Sequence, residues 1–252
     1  AHLQKFQGAI QLYVKENQYR KESYEIELFP KASLLLVKKG DIIGYTGDSG
    51  SSGGPHLHYE IRDEASRPMN PMLFGVDIPD TKDPIVHSVY AYPMSDDATI
   101  NQFKLPVKLR IIKQKDGTFK TEKILAYGKI GFGVSTNDQQ NGASNKNGVY
   151  SIKTSYNGTK KIDICFEKFS FDETRYLNRY IDYKNFKKNK SRVQKLFRET
   201  NNPLSMIKHE NEKGLITVSE GYSSNFSISI KDYKGNSTFI SIPVLGKKDT
   251  LI

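Results

Sequence analysis

Tryptophan is absent from this 252-residue chain and cysteine occurs once, and the scarcity of cysteine excludes two classes of protein. One thiol makes neither an internal disulfide framework nor a thiolate zinc cluster. That thiol, Cys165, sits in KIDICFEKF, whose alternation predicts a strand with a buried side chain. No apolar run approaches the roughly 20 residues that span a bilayer, and the mean hydropathy of -0.59 fits a well-solvated globular chain with no membrane span. No basic-then-apolar signal segment is present either: the chain starts AHLQKF, without Met, and reads as cut.

Charge is plentiful but unevenly spread. Residues 1–80 carry 9 Lys/Arg against 11 Asp/Glu, whereas residues 81–252 carry 29 against 17. This split predicts two modules, with the boundary near Asp80 in the proline-containing SRPMNPMLFGVDIPDTKDP (66–84). A basic second module suits an anionic partner such as wall polymer, lipid headgroups or nucleic acid. Its densest stretch, YKNFKKNKSRVQK (183–195), matches no nucleic-acid-binding motif and reads as a solvated basic face. No nucleic-acid partner is expected.

In the first module AIQLYVKENQYRKE places Ile10, Tyr13, Val14 and Asn17 on one helical face. SYEIELFP, LLLV and HLHYEIRD read as strands, and so does the stretch between a tight turn at Lys39-Gly40-Asp41 and the glycine loop. The second module repeats strand signals at the spacing of an all-β sandwich, with turns at Lys115-Asp116-Gly117, Tyr156-Asn157-Gly158 and Lys234-Gly235-Asn236. Two stretches break that pattern: residues 173–197 predict a helical or irregular insertion, and GVSTNDQQNGASNKNG (133–148) predicts a polar loop. The fold class expected is therefore mainly all-β. Asn157, Asn225 and Asn236 fit the glycosylation sequon, a short pattern that arises by chance.

The chain has five histidines, and two of them, His56 and His58, follow the glycines Gly47, Gly50, Gly53 and Gly54 directly. On a strand, residues two apart face the same way, so both rings would point together while Leu57 turns to the core. Paired imidazoles are a common offering to zinc. A solvent-facing pair on an edge strand is the alternative reading. His87 and His209 have no metal-ligand spacing around them and read as ordinary strand and loop residues.

GDIIGYTGDSGSSGGPHLHYEIRD, together with AHLQKF before it, resembles two successive motifs of the lysostaphin-type (LytM-like) zinc metallopeptidases, which hydrolyse peptide cross-links in bacterial peptidoglycan. The resemblance covers about residues 1–75. It implies a partial antiparallel-sheet peptidase domain over residues 1–80, one Zn2+ held by His58, and His2 and His56 as catalytic residues beside the metal-bound water. It implies that zinc polarises the scissile carbonyl and brings the pKa of its water towards about 7. Gly50, Gly53 and Gly54 would line the substrate groove, with Tyr13 a weaker contact. The family's other two ligands come from an upstream His-x-x-x-Asp, which these 252 residues lack, so the chain alone should hold zinc poorly. The gap between His2 and His56 exceeds the family's usual one, and the surplus, residues 9–30, forms either a groove wall carrying Tyr13, Tyr19 and Tyr24 or a surface elaboration.

Residues 81–252 resemble an immunoglobulin-like β-sandwich in their last hairpin, SISIKDYKGNSTFISIPV, which suggests a spacer or wall-binding module. The expected location is the bacterial envelope, periplasm or cell surface. Two other readings compete with the peptidase: a non-catalytic envelope protein that binds wall peptide or regulates another hydrolase, and a plain adhesive sandwich.

Overall fold

The computed structural model describes residues 3–48 and 53–248. The chain divides into two compact units, Ala1–Glu60 and Ile61–Ile252.

The first unit has strand β1 (Leu3–Phe6), helix α1 (Gly8–Lys21) and strand β2 (Gly44–Thr46). The expected helix forms with the expected face inward: Ile10, Tyr13 and Val14 are half-buried and Asn17 is buried. Asn17 Nδ2 donates to the Tyr13 carbonyl at 2.7 Å, which satisfies an amide that could not otherwise be taken from water. Glu22 ends the helix in a left-handed conformation (φ 48°), and Arg20 and Lys21 in the last turn complement the helix dipole. β1 and β2 are antiparallel, with Leu3 opposite Thr46 and Phe6 opposite Gly44.

Three expected strands of this unit do not form as read. SYEIELFP has no ladder and leaves Tyr24 95% exposed; LLLV has none and leaves Leu36 81% exposed. HLHYEIRD pairs only at its two ends: His56 makes a single bridge to Gly47, and Ile61–Arg62 pairs within the second unit. An extended segment becomes a strand only against a neighbour that takes its N–H and C=O groups, and neither SYEIELFP nor LLLV lies in such a ladder among the described residues. The Lys39-Gly40-Asp41 turn is present, closed by Asp41 N–H to the Lys38 carbonyl at 3.1 Å.

The second unit opens with β3 (Ile61–Arg62) and β4 (Pro68–Met69), a short antiparallel pair. Then come β5 (Ile85–Pro93), β6 (Thr99–Ile100), β7 (Val107–Leu109), β8 (Ile111–Lys113), β9 (Phe119–Thr121) and β10 (Ile124–Asn137). A hairpin of β11 (Ser151–Tyr156) and β12 (Thr159–Cys165) precedes the short helices α2 (Leu177–Tyr180) and α3 (Tyr183–Asn189). β13 (Gln194–Lys195), β14 (Ile207–Glu210), β15 (Ile216–Val218), β16 (Ser223–Lys231) and β17 (Ser237–Gly246) complete it. The protein is mainly β, as its alternation predicts.

β5 to β17 form one curled sheet of 13 strands, with the order β14-β12-β11-β16-β17-β10-β5-β7 along its main path. β10 carries it round the corner. Its first residues run parallel to β17, from Ile124 opposite Val244 to Ala126 opposite Gly246, whereas Ile130 to Asn137 run antiparallel to β5. Between the two halves lies Gly128, at φ +77°, where a Cβ would stand 2.9 Å from the Ala98 Cα. Only glycine takes that backbone shape at that separation without strain. Inside the curl, alternate residues of β16 and β17 (Phe226, Ile228, Ile230, Ile240, Ile242) are fully buried, and the Phe132 and Phe226 rings stack at 4.2 Å. Each such side chain contributes about 1.5–3 kcal/mol by leaving water.

Residues 173–197 form the helical or irregular insertion expected, with short helices up to Asn189 and then strand β13; α3 is capped by Asp182, whose carboxylate accepts the Asn185 N–H at 3.0 Å. The polar loop expected over residues 133–148 is shorter than read, since residues 133–137 finish β10. Cys165 ends β12 half-buried, and burial raises its thiol pKa.

Candidate functional site

The site is built where three pieces of backbone meet: the start of β1, the end of β2 and the histidine segment. Leu3 lies opposite Thr46, and the next residue, Gly47, bridges His56. Gly47 is buried, and a Cβ placed on it would stand 2.3 Å from the Gln4 backbone nitrogen. Backbone therefore touches backbone at this point, and the first glycine of the loop is required by contact with β1. The stretch that follows runs at the surface: Gly53, Pro55, His56, Leu57, His58, Tyr59 and Glu60 are all exposed. Leu57, expected in a core, is 66% exposed. No strand partner exists among the described residues to turn it inward.

Each histidine has a partner that fixes its chemistry. His56 Nδ1 donates to the Gly54 carbonyl at 2.9 Å, so the neutral ring in this contact carries its lone pair on Nε2. That nitrogen can take a proton or hold a donor. His58 Nε2 donates to Glu60 Oε1 at 2.5 Å, which puts the lone pair of the neutral ring on Nδ1. A carboxylate behind one ring nitrogen, leaving the other to a metal, is the usual support of a histidine ligand. Glu60 was not assigned this role from sequence. The two-residue spacing from His58 was the available signal, since on an extended chain it puts both side chains on one side.

Zinc in a catalytic site takes three protein ligands and one water. Among the described residues only one trio of His, Cys, Asp or Glu offers ligand atoms close enough to share an ion, and it belongs to the second unit. The described residues therefore do not complete a zinc centre by themselves. His2 and Gly50, named from sequence, lie outside the described residues. Tyr13 is half-buried on α1, and Gly53 and Gly54 have no atom within 4 Å of where a Cβ would be, so the loop beside His56 is open to an incoming chain. His87, near the start of β5, contacts the side chain of Asn137 at the end of β10, and His209 on β14 stands opposite Asp163 on β12.

Residues 33–71 match the sequence model of Peptidase family M23. Forty-four residues are 43% identical to the DD-carboxypeptidase/endopeptidase Mpg of Neisseria meningitidis serogroup B, and the same figures hold for Mpg of Neisseria gonorrhoeae. That alignment takes in 18% of this chain and 10% of each relative, so the chain spans about a tenth of the length of the curated relatives it matches. No solved structure matches the chain. The likeness to Peptidase family M23 thus rests on the segment holding β2, the glycine loop and both paired histidines.

Proposed function

We propose that the chain carries the histidine-loop part of a zinc-dependent endopeptidase that hydrolyses peptide bonds of bacterial peptidoglycan in the cell envelope. The observation that carries this reading is the His58–Glu60 contact at 2.5 Å, inside the segment that matches the peptidase family. His58 is the metal ligand, held in one tautomer by Glu60. His56, oriented by the Gly54 carbonyl, is the proton-transfer group, and His2 is the second such group. Gly50, Gly53 and Gly54 admit an extended peptide because no side chain blocks the approach of backbone to backbone.

The reading requires two further ligands from outside the described residues. The apolar exposure of the segment points the same way: Leu36, Ile42 and Leu57 are each more than half exposed, as expected of extended segments that need further polypeptide to cover them. Residues 81–252 supply a spacer or wall-binding module of immunoglobulin-like type. No helix among the described residues is long and apolar enough to cross a membrane.

The test uses the polypeptide in its full natural length with purified peptidoglycan. We expect one zinc per chain, soluble peptide release, and a loss of both by more than tenfold in His58→Ala. Glu60→Gln should weaken zinc affinity by about 10- to 100-fold. If His58→Ala kept its zinc and its activity, the assignment would fail. The shortage of ligands favours a second reading, a peptidase-like protein that binds wall peptide or regulates another hydrolase. It predicts peptide binding with no zinc and no release.

A further inference from the structure

We propose that Asp80, Asp138 and Asp232, all in the second unit, bind a calcium ion. The three carboxylates come from the loop before β5, the residue after β10 and the turn joining β16 to β17, and one oxygen from each lies within 4.8 Å of the others. Asp138 is 5% exposed and Asp232 is 3% exposed. Like charges at such separation, two of them withdrawn from water, repel strongly unless a counter-charge intervenes. The two lysines beside the cluster are engaged elsewhere: Lys234, which lines the same pocket as Asp80 and Asp138, pairs with Asp77, and Lys82 donates to the Gln140 carbonyl at 3.2 Å.

Hydrogen bonding tells the same story independently. The Asp232 oxygens accept from Gly235 N at 2.7 Å and from Asn236 Nδ2 at 2.6 Å, and Asp80 Oδ1 accepts from Lys82 N at 3.1 Å. Asp138 Oδ1, in contrast, is buried with no hydrogen-bond donor. An orphaned buried carboxylate oxygen is costly, and the carboxyl group that carries it has an oxygen within 4.8 Å of two other carboxylates.

The donor set selects the ion. All three are oxygens, with neither nitrogen nor sulfur among them, which suits a hard divalent cation. Irregular donors from three separate loops fit the flexible shell of calcium better than the strict octahedron of magnesium. A pocket of about 320 Å³, lined by Asp80, Asp138, Asn147, Tyr150 and Tyr233 among others, leaves room for the waters that complete the shell. Bound there, the ion fastens the loop of residues 77–83 to the body of the curled sheet.

The pocket offers its own probe. Tyr150 and Tyr233 stand 5.2 Å apart, edge to face, and with tryptophan absent tyrosine alone can sensitise terbium luminescence. The experiment titrates the chain with Tb3+ while exciting tyrosine, then displaces it with Ca2+. We expect saturable emission at one equivalent, reversed by calcium, and calcium affinity at least tenfold weaker in Asp138→Asn and in Asp80→Asn, whose residue is only half-buried. Calcium should raise Tm by several degrees over EDTA in the unaltered chain and leave Asp138→Asn unmoved. In EDTA that variant should melt no lower than the unaltered chain, because it removes one of three repelling charges. Absence of saturable, calcium-displaced emission from the folded, unaltered chain overturns the proposal, as does unchanged calcium affinity in both variants.

Discussion

At the scale of single residues, the glycines of the histidine loop do different work. Gly53 and Gly54 border open space, whereas Gly47 lies against the Gln4 backbone. Gly47→Ala would put a methyl carbon 2.3 Å from the Gln4 nitrogen. Neither backbone can give way cheaply, so β1 must separate from β2. Overpacking of this kind costs about 1–3 kcal/mol, or roughly a fivefold or greater loss of amide protection. The Gln7 amide, bonded to the Ile43 carbonyl at 3.1 Å, reports it by hydrogen exchange; unchanged protection in the variant would show that the contact yields. The paired histidines were legible from sequence because motif and spacing sit within a few positions. The Asp80, Asp138 and Asp232 cluster was not, because its members lie 58 and 94 residues apart along the chain and only the curl of the sheet brings them together.

At the scale of elements, the turn between β3 and β4 is held by one carboxylate. Asp63 accepts from the Ala65 and Arg67 amides at 3.1 and 3.0 Å, and from Arg67 Nε at 2.8 Å. The Arg67 side-chain bond, and then its backbone bond, lower the Asp63 pKa from 3.8 to about 2. Because the folded value is depressed, the stabilisation is whole above the unfolded value near 3.8 and is lost as pH falls from there through about 2. Arg67→Ala should return the Asp63 pKa towards 3.8, read from its carboxyl shift by NMR; a value still near 2 would remove Arg67 as the cause. β10 shows where sequence reading strayed at this scale. The polar stretch 133–148 was read as a loop, yet residues 133–137 finish β10, and within the same strand a Cβ on Gly131 would meet Phe197 Cδ1 at 2.5 Å. That glycine makes room for an aromatic ring, and a sequence records the missing side chain without the neighbour that fills its place.

At the scale of the whole molecule, the two units differ in what they bury. Every residue of the apolar core lies between Val89 and Val244; the described part of the first unit fully buries only Asn17 and Gly47. Opening free energies follow such burial. In this chain alone, proteases should cut within residues 22–43 at concentrations that leave residues 85–246 intact, and amides of β16 and β17 should exchange most slowly. Equal resistance across both units would show that the first buries more than its surface indicates. The sequence by itself determined what depends on local pattern: the helix over residues 8–21, the alternating strands and glycine turns of the second unit, and the histidine pair after its glycine loop. Tertiary structure decided which extended segments became strands, which glycines were close contacts and which distant carboxylates met. Pairing edges and packing neighbours are supplied by residues far away in the chain, and no local pattern contains them.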